Sequence, residues 1–342
     1  MTAPKCLLEE AFVFHNIDMQ RKKIWVWIYW VGLCGFILLN WISFNHARRM
    51  TRFVPSGERT KSPEELSTLE KLPLLFFGIT VPRPQNEDTP ADYGLAYETE
   101  VLRSWYDGRY LEGWWVPAAP ESALGTIIMF HGYAVAKSSL LTETAAFHDL
   151  GYNVFLVDFR GSGGSCDSST TIGYEDANDV AWAYQFVEEK EGEHPIILYG
   201  MSMGGAAVMR AIAITDIQPD GIIVEAVFDE MLTTVKNRFH TMGFPAFPAA
   251  HLLVFWGGAQ HGFNGFEHNP ADYAADITIP VLVLHGANDP RATLAEGQHI
   301  YEQLASPHKE IIIFDGAKHE STIGVDRGLW ELSINSFLAE IK

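Results

Sequence analysis

The sequence contains few cysteines and few basic residues for its length. Cys6 and Cys34 lie near the N-terminus of the 342 residues, and Cys166 is the only other cysteine. One isolated cysteine in the body of the protein excludes an intradomain disulfide framework and a cysteine-rich zinc site there. Lysine and arginine number 24 against 43 acidic residues, so the formal net charge is −19. The negative electrostatic potential of such a protein repels the phosphate backbone of nucleic acids, and we expect no nucleic-acid partner.

The sequence also lacks the residue patterns of the common cofactor sites. The run Gly-Ser-Gly-Gly at 161–164 has no third glycine of a dinucleotide fingerprint, and we interpret it as a turn. His261 and His268 are not part of a metal motif such as His-Glu-x-x-His. We therefore expect no nucleotide, metal or other cofactor. Internal repeats are absent as well, and the composition, 47% hydrophobic and 20% charged, is typical of one large globular domain with an appendage.

One long hydrophobic segment is present, and it runs from Ile24 to Phe44. Its 21 residues carry no charge, basic residues flank it on both sides, and tryptophans lie toward its two ends. A helix of this length spans about 30 Å, which matches the hydrocarbon core of a bilayer. We predict a transmembrane helix at 24–44 after an N-terminal tail at 1–23. Similar numbers of basic residues on its two sides leave the side of the membrane open.

Two other kinds of segment share this hydrophobic pattern. A cleaved signal peptide is disfavoured because the polar lead of about twenty residues is long and no small-x-small cleavage site follows. A buried core helix is disfavoured by the length of the segment. The first 61 residues are also net basic, whereas the rest of the chain is strongly acidic, and a basic head suits a membrane surface. We therefore expect a single-pass membrane protein with an N-terminal anchor.

Residues 45–94 are predicted to be a connector, because they contain six prolines and precede the regular part of the sequence. Within the connector, the apolar run from Leu72 to Ile79 is too short to cross a bilayer. Such a run either dips into the membrane interface or packs on the protein body, and we favour packing.

From residue 95 to residue 342, segments with the pattern of strands alternate with segments with the pattern of helices. The strands are predicted at 97–103, 110–116, 126–130, 153–158, 195–199, 221–225, 280–284 and 309–314. The first two are expected to pair as a hairpin around Asp107-Gly108. Strands that alternate with helices predict an α/β fold with a doubly wound, mostly parallel sheet.

The segment 196–207 predicts a nucleophile elbow. Four apolar or aromatic residues are followed by Gly200, Ser202 and Gly204 in the pattern Gly-x-Ser-x-Gly, and then by an alanine-rich helix start. The glycines permit close contact between strand and helix, while the turn holds the serine in a strained, exposed conformation. Free N–H groups at the helix N-terminus favour developing negative charge, so Ser202 is the predicted nucleophile for acyl transfer.

A serine hydroxyl needs a histidine that accepts its proton and a carboxylate that holds the tautomer of that histidine. Asp289 and His319 each lie in a loop just beyond a predicted strand. The carboxyl ends of parallel strands share one edge of the sheet, so both residues are expected to meet Ser202 there. Glu225, at the end of another strand, is the rival acid.

Residues 229–273 interrupt the alternation with many aromatic, glycine and proline residues. We interpret them as an inserted cap, and the alternative is a long ordinary connection packed on the body. A cap at this place in the chain is expected to overhang Ser202. Its aromatic residues, Phe244 and Phe247 among them, are then expected to select for apolar acyl chains.

Together these motifs resemble those of a serine hydrolase of the α/β-hydrolase superfamily, over about residues 95–342. Two further motifs carry the resemblance: His131-Gly132-Tyr133 after the third strand, and Asp-x-Arg-Gly-x-Gly-x-Ser at 158–165. The sequence resembles in particular the lysophospholipase and monoglyceride-lipase-like branch that is often labelled serine aminopeptidase, including its membrane-anchored members.

This resemblance implies an oxyanion hole formed by the backbone N–H groups of Tyr133 and Met203. His131 and Arg160 are interpreted as structural, because such residues at strand ends and in glycine-rich turns more often bond the local backbone than react. The implied activity is a carboxylic-ester hydrolase that takes lipid or other hydrophobic acyl esters through an acyl-enzyme on Ser202.

Several other activities remain open. A thioesterase, an amidase or peptidase, and an acyltransferase would use the same residues. A membrane scaffold with this fold and no catalysis is the alternative from a different class. Because all the motifs lie beyond residue 94, we expect the chain without residues 1–50 to stay folded and active.

Overall fold

The computed structural model describes residues 5–61, 66–104, 108–118, 123–192 and 194–341, without the side chains of 5–18, 68 and 75. The helices are α1 Lys5–Thr51, α2 Thr68–Phe77, α3 Leu141–Asp149, α4 Asp176–Glu191, α5 Met203–Ile214, α6 Met231–Met242, α7 Ala249–His261, α8 Pro270–Ala274, α9 Leu294–Gln303 and α10 Arg327–Glu340. The strands are β1 Glu98–Arg103, β2 Tyr110–Val116, β3 Thr126–Phe130, β4 Asn153–Val157, β5 Ile196–Met201, β6 Gly221–Glu225, β7 Val281–Gly286 and β8 Lys309–Phe314. Asp107, in the turn of the predicted hairpin, lies outside the described residues.

The eight strands form one sheet with the order β1-β2-β4-β3-β5-β6-β7-β8. Strands β3 to β8 run parallel, and β2 pairs antiparallel with both β1 and β4. The direction in which successive strands are added reverses between β3 and β5, so the carboxyl ends of these two strands flank a crevice. The predicted α/β fold with a mostly parallel sheet is confirmed, and so is the pairing of β1 with β2.

Both faces of the sheet are buried, and alternate residues of the central strand β5 belong to two separate hydrophobic clusters. Ile196 and Leu198 pack on the side of α4 and α5, whereas Ile197 and Tyr199 pack on the side of α3 and α10. A parallel strand that is covered by helices on both faces has no solvent side, which explains its continuous apolar sequence. This rigid sheet fixes the strand ends from which the site loops emerge.

Helix α1 is one continuous helix of 47 residues and extends beyond the predicted span at both ends. Residues 5–23 contain no glycine or proline that would end the helix, so most of the predicted tail is helical. Among the described helices, the part from Met19 to Thr51 has the length and hydropathy needed to cross a membrane. Its middle is exposed on the protein surface, with Trp27 at 72% and Phe36 at 63%. An apolar surface of this kind agrees with the predicted membrane helix.

The last turns of α1 are docked on α7 of the insertion. The indole N–H of Trp256 donates a hydrogen bond of 3.2 Å to Oδ1 of Asn40. The side-chain amide of Gln260 donates a bond of 2.9 Å to the carbonyl oxygen of Phe44. Ala47, one turn further on, is buried. The helix that carries the apolar segment is therefore held to the α/β body by direct contacts.

Helix α2 carries most of the apolar run of the connector. Ser67 and Glu70 form a capping box at its N-terminus, which favours a helix over an extended segment. Phe76 and Phe77 at the end of the run are 58% and 74% exposed. Packing on the body, which the sequence favoured for this run, is therefore not observed for these two side chains.

Residues 229–273 are largely helical and contain α6, α7 and α8. Helix α6 packs on α7, and α7 packs on α1. The insertion therefore connects the N-terminal helix with the carboxyl end of β6.

Candidate active site

Ser202 lies at the junction of β5 and α5 in the backbone geometry of a nucleophile elbow. Its φ of +53° falls in the left-handed region, which residues with a side chain rarely adopt, so the turn is strained. Side chains would not fit beside it: a Cβ on Gly204 would lie 2.2 Å from the carbonyl oxygen of Phe130, and one on Gly200 would lie 2.6 Å from the backbone. The N–H of Ser202 donates to the carbonyl oxygen of Glu225 at 2.7 Å. These contacts hold the serine at the carboxyl edge of the sheet.

The structure brings His319 and Asp289 together at Ser202. His319 follows β8, and its Nε2 lies 3.0 Å from Oγ of Ser202. Asp289 follows β7, and its Oδ2 lies 2.7 Å from Nδ1 of His319. The side chain of Asp289 is fully buried, and that of His319 is 14% exposed. The three side chains form one continuous chain of hydrogen bonds from a buried carboxylate to a hydroxyl.

The other oxygen of the Asp289 carboxylate is also bonded. Oδ1 accepts hydrogen bonds from the backbone N–H groups of Arg291 at 2.8 Å and Ala292 at 3.0 Å. These two bonds within the loop fix the orientation of the carboxylate, so that Oδ2 faces His319.

Glu225, the rival acid, is bonded elsewhere. Its carboxylate accepts hydrogen bonds from the hydroxyl of Tyr199 at 2.5 Å and from the backbone N–H of Thr322 at 2.6 Å. Burial raises the pKa of Glu225. The geometry therefore favours Asp289 over Glu225 as the partner of His319.

A second buried acid, Glu143 of α3, supports the loop that carries His319. Its carboxylate is hydrogen-bonded to the hydroxyl of Ser321, two residues after His319. Burial and, to a smaller extent, the nearby Glu225 raise the pKa of Glu143 to about 7. The sequence gives no signal for this role, since Glu143 is one glutamate in a helix that contacts the loop only in the folded protein.

The groups implied for the oxyanion hole lie close to Ser202. Met203 is the first residue of α5, so its N–H has no acceptor within the helix. The turn His131-Gly132-Tyr133 follows β3, and a Cβ on Gly132 would lie 3.7 Å from Cβ of Ser202. This arrangement places the turn beside Ser202 at the positive end of the α5 dipole, where negative charge is favoured.

The side chain of Tyr133 connects this turn to the N-terminal helix. Its hydroxyl donates a 2.6 Å hydrogen bond to the carbonyl oxygen of Met50 in the last turn of α1. The guanidinium of Arg59 donates a 2.9 Å bond to the carbonyl oxygen of Ala134. Burial raises the pKa of Tyr133 to about 12, so the hydroxyl keeps its proton at neutral pH. The expectation of activity without residues 1–50 rested on the position of all the motifs beyond residue 94. Since Tyr133 of one motif is bonded to Met50, that expectation loses this support.

Asp158, the first residue of the second family motif, has a structural role. Its carboxylate lies 2.5 Å from Nζ of Lys137, and the backbone N–H of Lys137 donates to it at 2.8 Å. Nζ of Lys137 also contacts Glu112 at 2.9 Å and lies 4.2 Å from the ring centre of Trp114. Burial opposes ionisation of Asp158, but the adjacent positive charge of Lys137 lowers its pKa. The bonds between Asp158 and Lys137 thus hold the segment after Tyr133 against the end of β4.

His131 and Arg160 have structural partners. The ring of His131 is bonded to the carbonyl oxygen of Gly132 at 2.8 Å and accepts from the N–H of Phe159 at 3.2 Å. Burial lowers the pKa of His131 and favours its neutral form. Nε of Arg160 lies 2.6 Å from the carboxylate of Asp179. Neither side chain is bonded to Ser202, Asp289 or His319.

His268 of the insertion is also a structural residue. Its two ring nitrogens are bonded to the carbonyl oxygen of Ile172 at 2.9 Å and the hydroxyl of Tyr273 at 3.1 Å. Burial lowers the pKa of His268 to about 4. In the part of the chain that the structure describes, no group of three histidine, cysteine or acidic residues is arranged to hold a metal ion.

Two of the aromatic residues of the insertion, Phe244 and Phe247, do not have the arrangement expected from the sequence. Phe247 is 75% exposed. The apolar cavity under the insertion is lined by other residues of this segment, such as Val254, Gly257 and Phe263, and neither Phe244 nor Phe247 borders it. The physical reason is that both phenylalanines precede α7, whereas the face of α7 itself borders the cavity.

The sequence matches the model of the family described as “Serine aminopeptidase, S33” over residues 121–242 and 268–324, which is more than half of the chain. Ser202, Asp289 and His319 all lie within these two stretches. The unmatched residues between the stretches fall inside the helical insertion.

Several curated proteins and solved structures are similar to this chain. Protein YqkD of Bacillus subtilis is 26% identical over 226 residues, which cover 64% of this chain and 73% of that protein. The lysophosphatidylserine lipase ABHD12 of Danio rerio is 25% identical over 225 residues, which cover 63% of this chain and 56% of that protein. The structure of the Pyrococcus furiosus esterase Pf2001 superposes with a TM-score of 0.64 at 22% identity, over 76% of this chain and 97% of that one. This structural similarity shows a shared fold.

Proposed function

The chain belongs to the serine aminopeptidase S33 family, within the lysophospholipase-like branch of the α/β-hydrolases, and on this premise we propose that it is a membrane-anchored serine hydrolase that cleaves carboxylic esters. The observation that carries the proposal is the pair of short contacts from Ser202 Oγ to His319 and from His319 to Asp289, at 3.0 and 2.7 Å. The Ser-His-Asp arrangement performs acyl transfer on several unrelated folds.

In the proposed mechanism, Oγ of Ser202 attacks the ester carbonyl carbon while Nε2 of His319 takes the hydroxyl proton. Asp289 holds the His319 tautomer with Nδ1 protonated and stabilises the imidazolium that forms. The N–H groups of Met203 and Tyr133 donate to the carbonyl oxygen as it gains negative charge. The C–O bond to the alcohol then breaks, and His319 returns the proton to the leaving alcohol. Water cleaves the acyl-enzyme by the same steps.

We propose lipid or other hydrophobic acyl esters as the substrate class. Three features support this class: the apolar helix from Met19 to Thr51, the apolar cavity under the insertion, and the similarity to proteins named as lysophosphatidylserine lipases. An enzyme that is held at a bilayer surface meets its lipid substrates at high local concentration.

The test is labelling of the full-length protein by a fluorophosphonate probe, combined with hydrolysis assays on esters. Labelling of the wild-type protein and none of Ser202→Ala is expected. A folded wild-type protein that does not react with the probe would overturn the proposal and favour a non-catalytic scaffold. Matched ester, thioester and amide substrates separate an esterase from a thioesterase or peptidase, and an added alcohol acceptor detects acyl transfer.

We propose further that the segment 24–44 spans the membrane and anchors the catalytic domain. Alkaline carbonate is expected to leave the full-length protein in the membrane pellet, whereas detergent is expected to release it. Release by carbonate alone would show that this helix does not span the bilayer.

A further inference from the structure

An apolar cavity lies between the last turns of α1 and the helices of the insertion. Its walls come from α1, the loop before α4, α6, and α7 with the residues after it, and they include Ala47, Met50, Thr171, Val254, Gly257 and Phe263. Most of this surface is contributed by aliphatic and aromatic side chains and by glycines. It therefore suits an apolar ligand and offers little to a polar one.

The wall of the cavity is linked by hydrogen bonds to the two residues of the implied oxyanion hole. Met50, which borders the cavity, accepts the 2.6 Å hydrogen bond from Tyr133 through its carbonyl oxygen. Thr170, the neighbour of the bordering residue Thr171, lies 3.4 Å from Sδ of Met203. Both residues of the implied oxyanion hole thus contact the cavity wall or the residue next to it.

The cavity also adjoins the part of α1 that we assign to the bilayer. Trp41 is 61% exposed, whereas Ala47, six residues further along the helix, is 3% exposed. Six residues correspond to about 9 Å along a helix axis. An apolar chain that follows the surface of α1 out of the membrane therefore reaches the cavity within two turns.

Most of the residues that line this cavity lie outside the two stretches that match the family model. The match begins at residue 121 and omits residues 243–267. The walls from α1, and those from α7 and the residues after it, belong to these unmatched segments. The cavity is thus built from parts that this chain adds to the shared catalytic core.

We propose that this cavity binds the acyl chain of the substrate and that the N-terminal helix is one of its walls, so that the anchor itself sets the accepted chain length. The inference rests on the proposed ester hydrolysis at Ser202. Each methylene that enters an apolar cavity raises kcat/KM about fourfold until the cavity is full. The anchor then has two roles, since it holds the enzyme at the bilayer and also selects the substrate.

Two variants test the cavity in opposite directions in the full-length protein. Gly257 borders the cavity, and a Cβ built on it would meet no atom within 4 Å, so Gly257→Leu adds apolar volume at the cavity wall from a position with free space at the Cβ. On p-nitrophenyl esters from acetate to dodecanoate, we expect Gly257→Leu to lower kcat/KM for the longest chains at least tenfold and to move the optimum to shorter chains. Met50→Ala removes a side chain from the α1 wall but keeps the carbonyl oxygen that Tyr133 uses, and it should move the optimum to longer chains.

Two further variants serve as controls. Gly257→Ala adds one methyl group and should give a smaller shift than Gly257→Leu, which separates cavity filling from any change in helix stability. Phe247→Ala changes an exposed aromatic residue of the insertion that does not border the cavity, so it should keep the wild-type profile. An unchanged chain-length profile in folded Gly257→Leu and Met50→Ala would overturn the inference while leaving ester hydrolysis intact.

A binding measurement tests the cavity without turnover. Dodecanoate should raise the Tm of Ser202→Ala protein in nanodiscs, and the added substitution Gly257→Leu should abolish most of that rise. An equal rise in both proteins would also overturn the inference. Failure of the proposed function has a different signature: the wild-type protein then hydrolyses no ester of any chain length, while the dodecanoate result is unaffected.

Discussion

Glu225 accepts a 2.6 Å hydrogen bond from the backbone N–H of Thr322, the third residue after the catalytic candidate His319. Two acids at the same edge of the sheet therefore have different tasks. Asp289 is bonded to the imidazole ring, whereas Glu225 is bonded to the loop that carries the ring. Because the carboxylate of Glu225 is bonded to Tyr199 and to this loop and not to the imidazole ring, we expect it to act only through the position of His319.

The first prediction separates these two tasks. We expect Asp289→Asn to lower kcat by up to about 10⁴-fold, because the amide holds the wrong histidine tautomer in a triad. Glu225→Gln should have a much smaller effect on kcat, since its contacts are with Tyr199 and Thr322. Steady-state kinetics on one ester substrate decide the question. A larger loss in Glu225→Gln than in Asp289→Asn would show that the acid is misassigned.

The second prediction concerns the nucleophile and the base. Ser202→Ala and His319→Ala should each remove nearly all turnover, and the loss in a comparable serine protease is about 10⁶-fold. Neither residue belongs to the hydrophobic clusters of the core, so the circular dichroism spectra should match the wild-type spectrum. Substantial activity in either folded variant would contradict the assignment.

A third prediction concerns the boundary of the N-terminal helix. A chain that starts at Asn40 keeps the bonds from Trp256 to Asn40, from Gln260 to Phe44 and from Tyr133 to Met50. It should retain most of the kcat of the full-length protein in detergent. A chain that starts at Arg52 loses all three bonds and exposes the face of α7, so its kcat and its Tm should both fall. Equal kcat and Tm in the two truncated proteins would contradict a role for residues 40–51.

Tyr133→Phe isolates one of these bonds, because it removes the hydroxyl and keeps the backbone N–H that is implied for the oxyanion hole. The loss of a hydrogen bond of this kind lowers the free energy of unfolding by about 1 kcal/mol and leaves the carbonyl oxygen of Met50 without this donor. We expect a lower kcat with little change in KM, since the turn beside Ser202 becomes less well positioned. An unchanged kcat in Tyr133→Phe would mean that the turn is fixed by its other contacts.

The fourth prediction concerns pH and the buried acid Glu143. Its pKa is raised from 4.5 to about 7 by burial and by Glu225, so between these values the folded state binds the proton and the unfolded state releases it. The contribution of this carboxyl group to stability is therefore fully present below about pH 4.5 and is lost as the pH rises toward 7. Glu143→Gln does not titrate, and the free energy of unfolding of wild type relative to this variant should fall by up to about 3 kcal/mol across that range.

Urea unfolding at several pH values measures this difference. Glu189→Gln, which changes an exposed glutamate, is the control for the loss of one carboxyl group. A difference between wild type and Glu143→Gln that stays constant from pH 4.5 to 7 would contradict the raised pKa.

The features that can be predicted from the sequence are those that depend on the order of the strands. Ser202, Asp289 and His319 could be named as candidates because each follows a strand, and the ends of parallel strands meet at one edge. The boundaries of β3 and β6 agree with the predicted segments because both strands are short, mostly apolar runs.

The sequence does not predict what covers the end of the hydrophobic helix. The pattern around Phe44 and Ala47 is apolar whether lipid or protein surrounds it, so the docking of α1 on α7 has no signal in the sequence. The bonds from Trp256 to Asn40 and from Tyr133 to Met50 join residues that are far apart in the chain. The role of Glu143 cannot be predicted from the sequence for the same reason, because its carboxylate is bonded to Ser321, which lies 178 residues further along the chain.

The unbroken course of α1 from Lys5 to Thr51 puts the apolar segment and the docked turns on a single rigid rod. One residue inserted between them would rotate the apolar segment by about 100° and displace it by about 1.5 Å relative to the catalytic body. On the proposal that this segment spans the bilayer, helical phase sets the orientation of the body about the axis of the helix. Insertions of one or two residues before Asn40 should therefore change this orientation more than an insertion of seven, which lengthens the helix by about 10 Å but restores nearly the same phase after two turns.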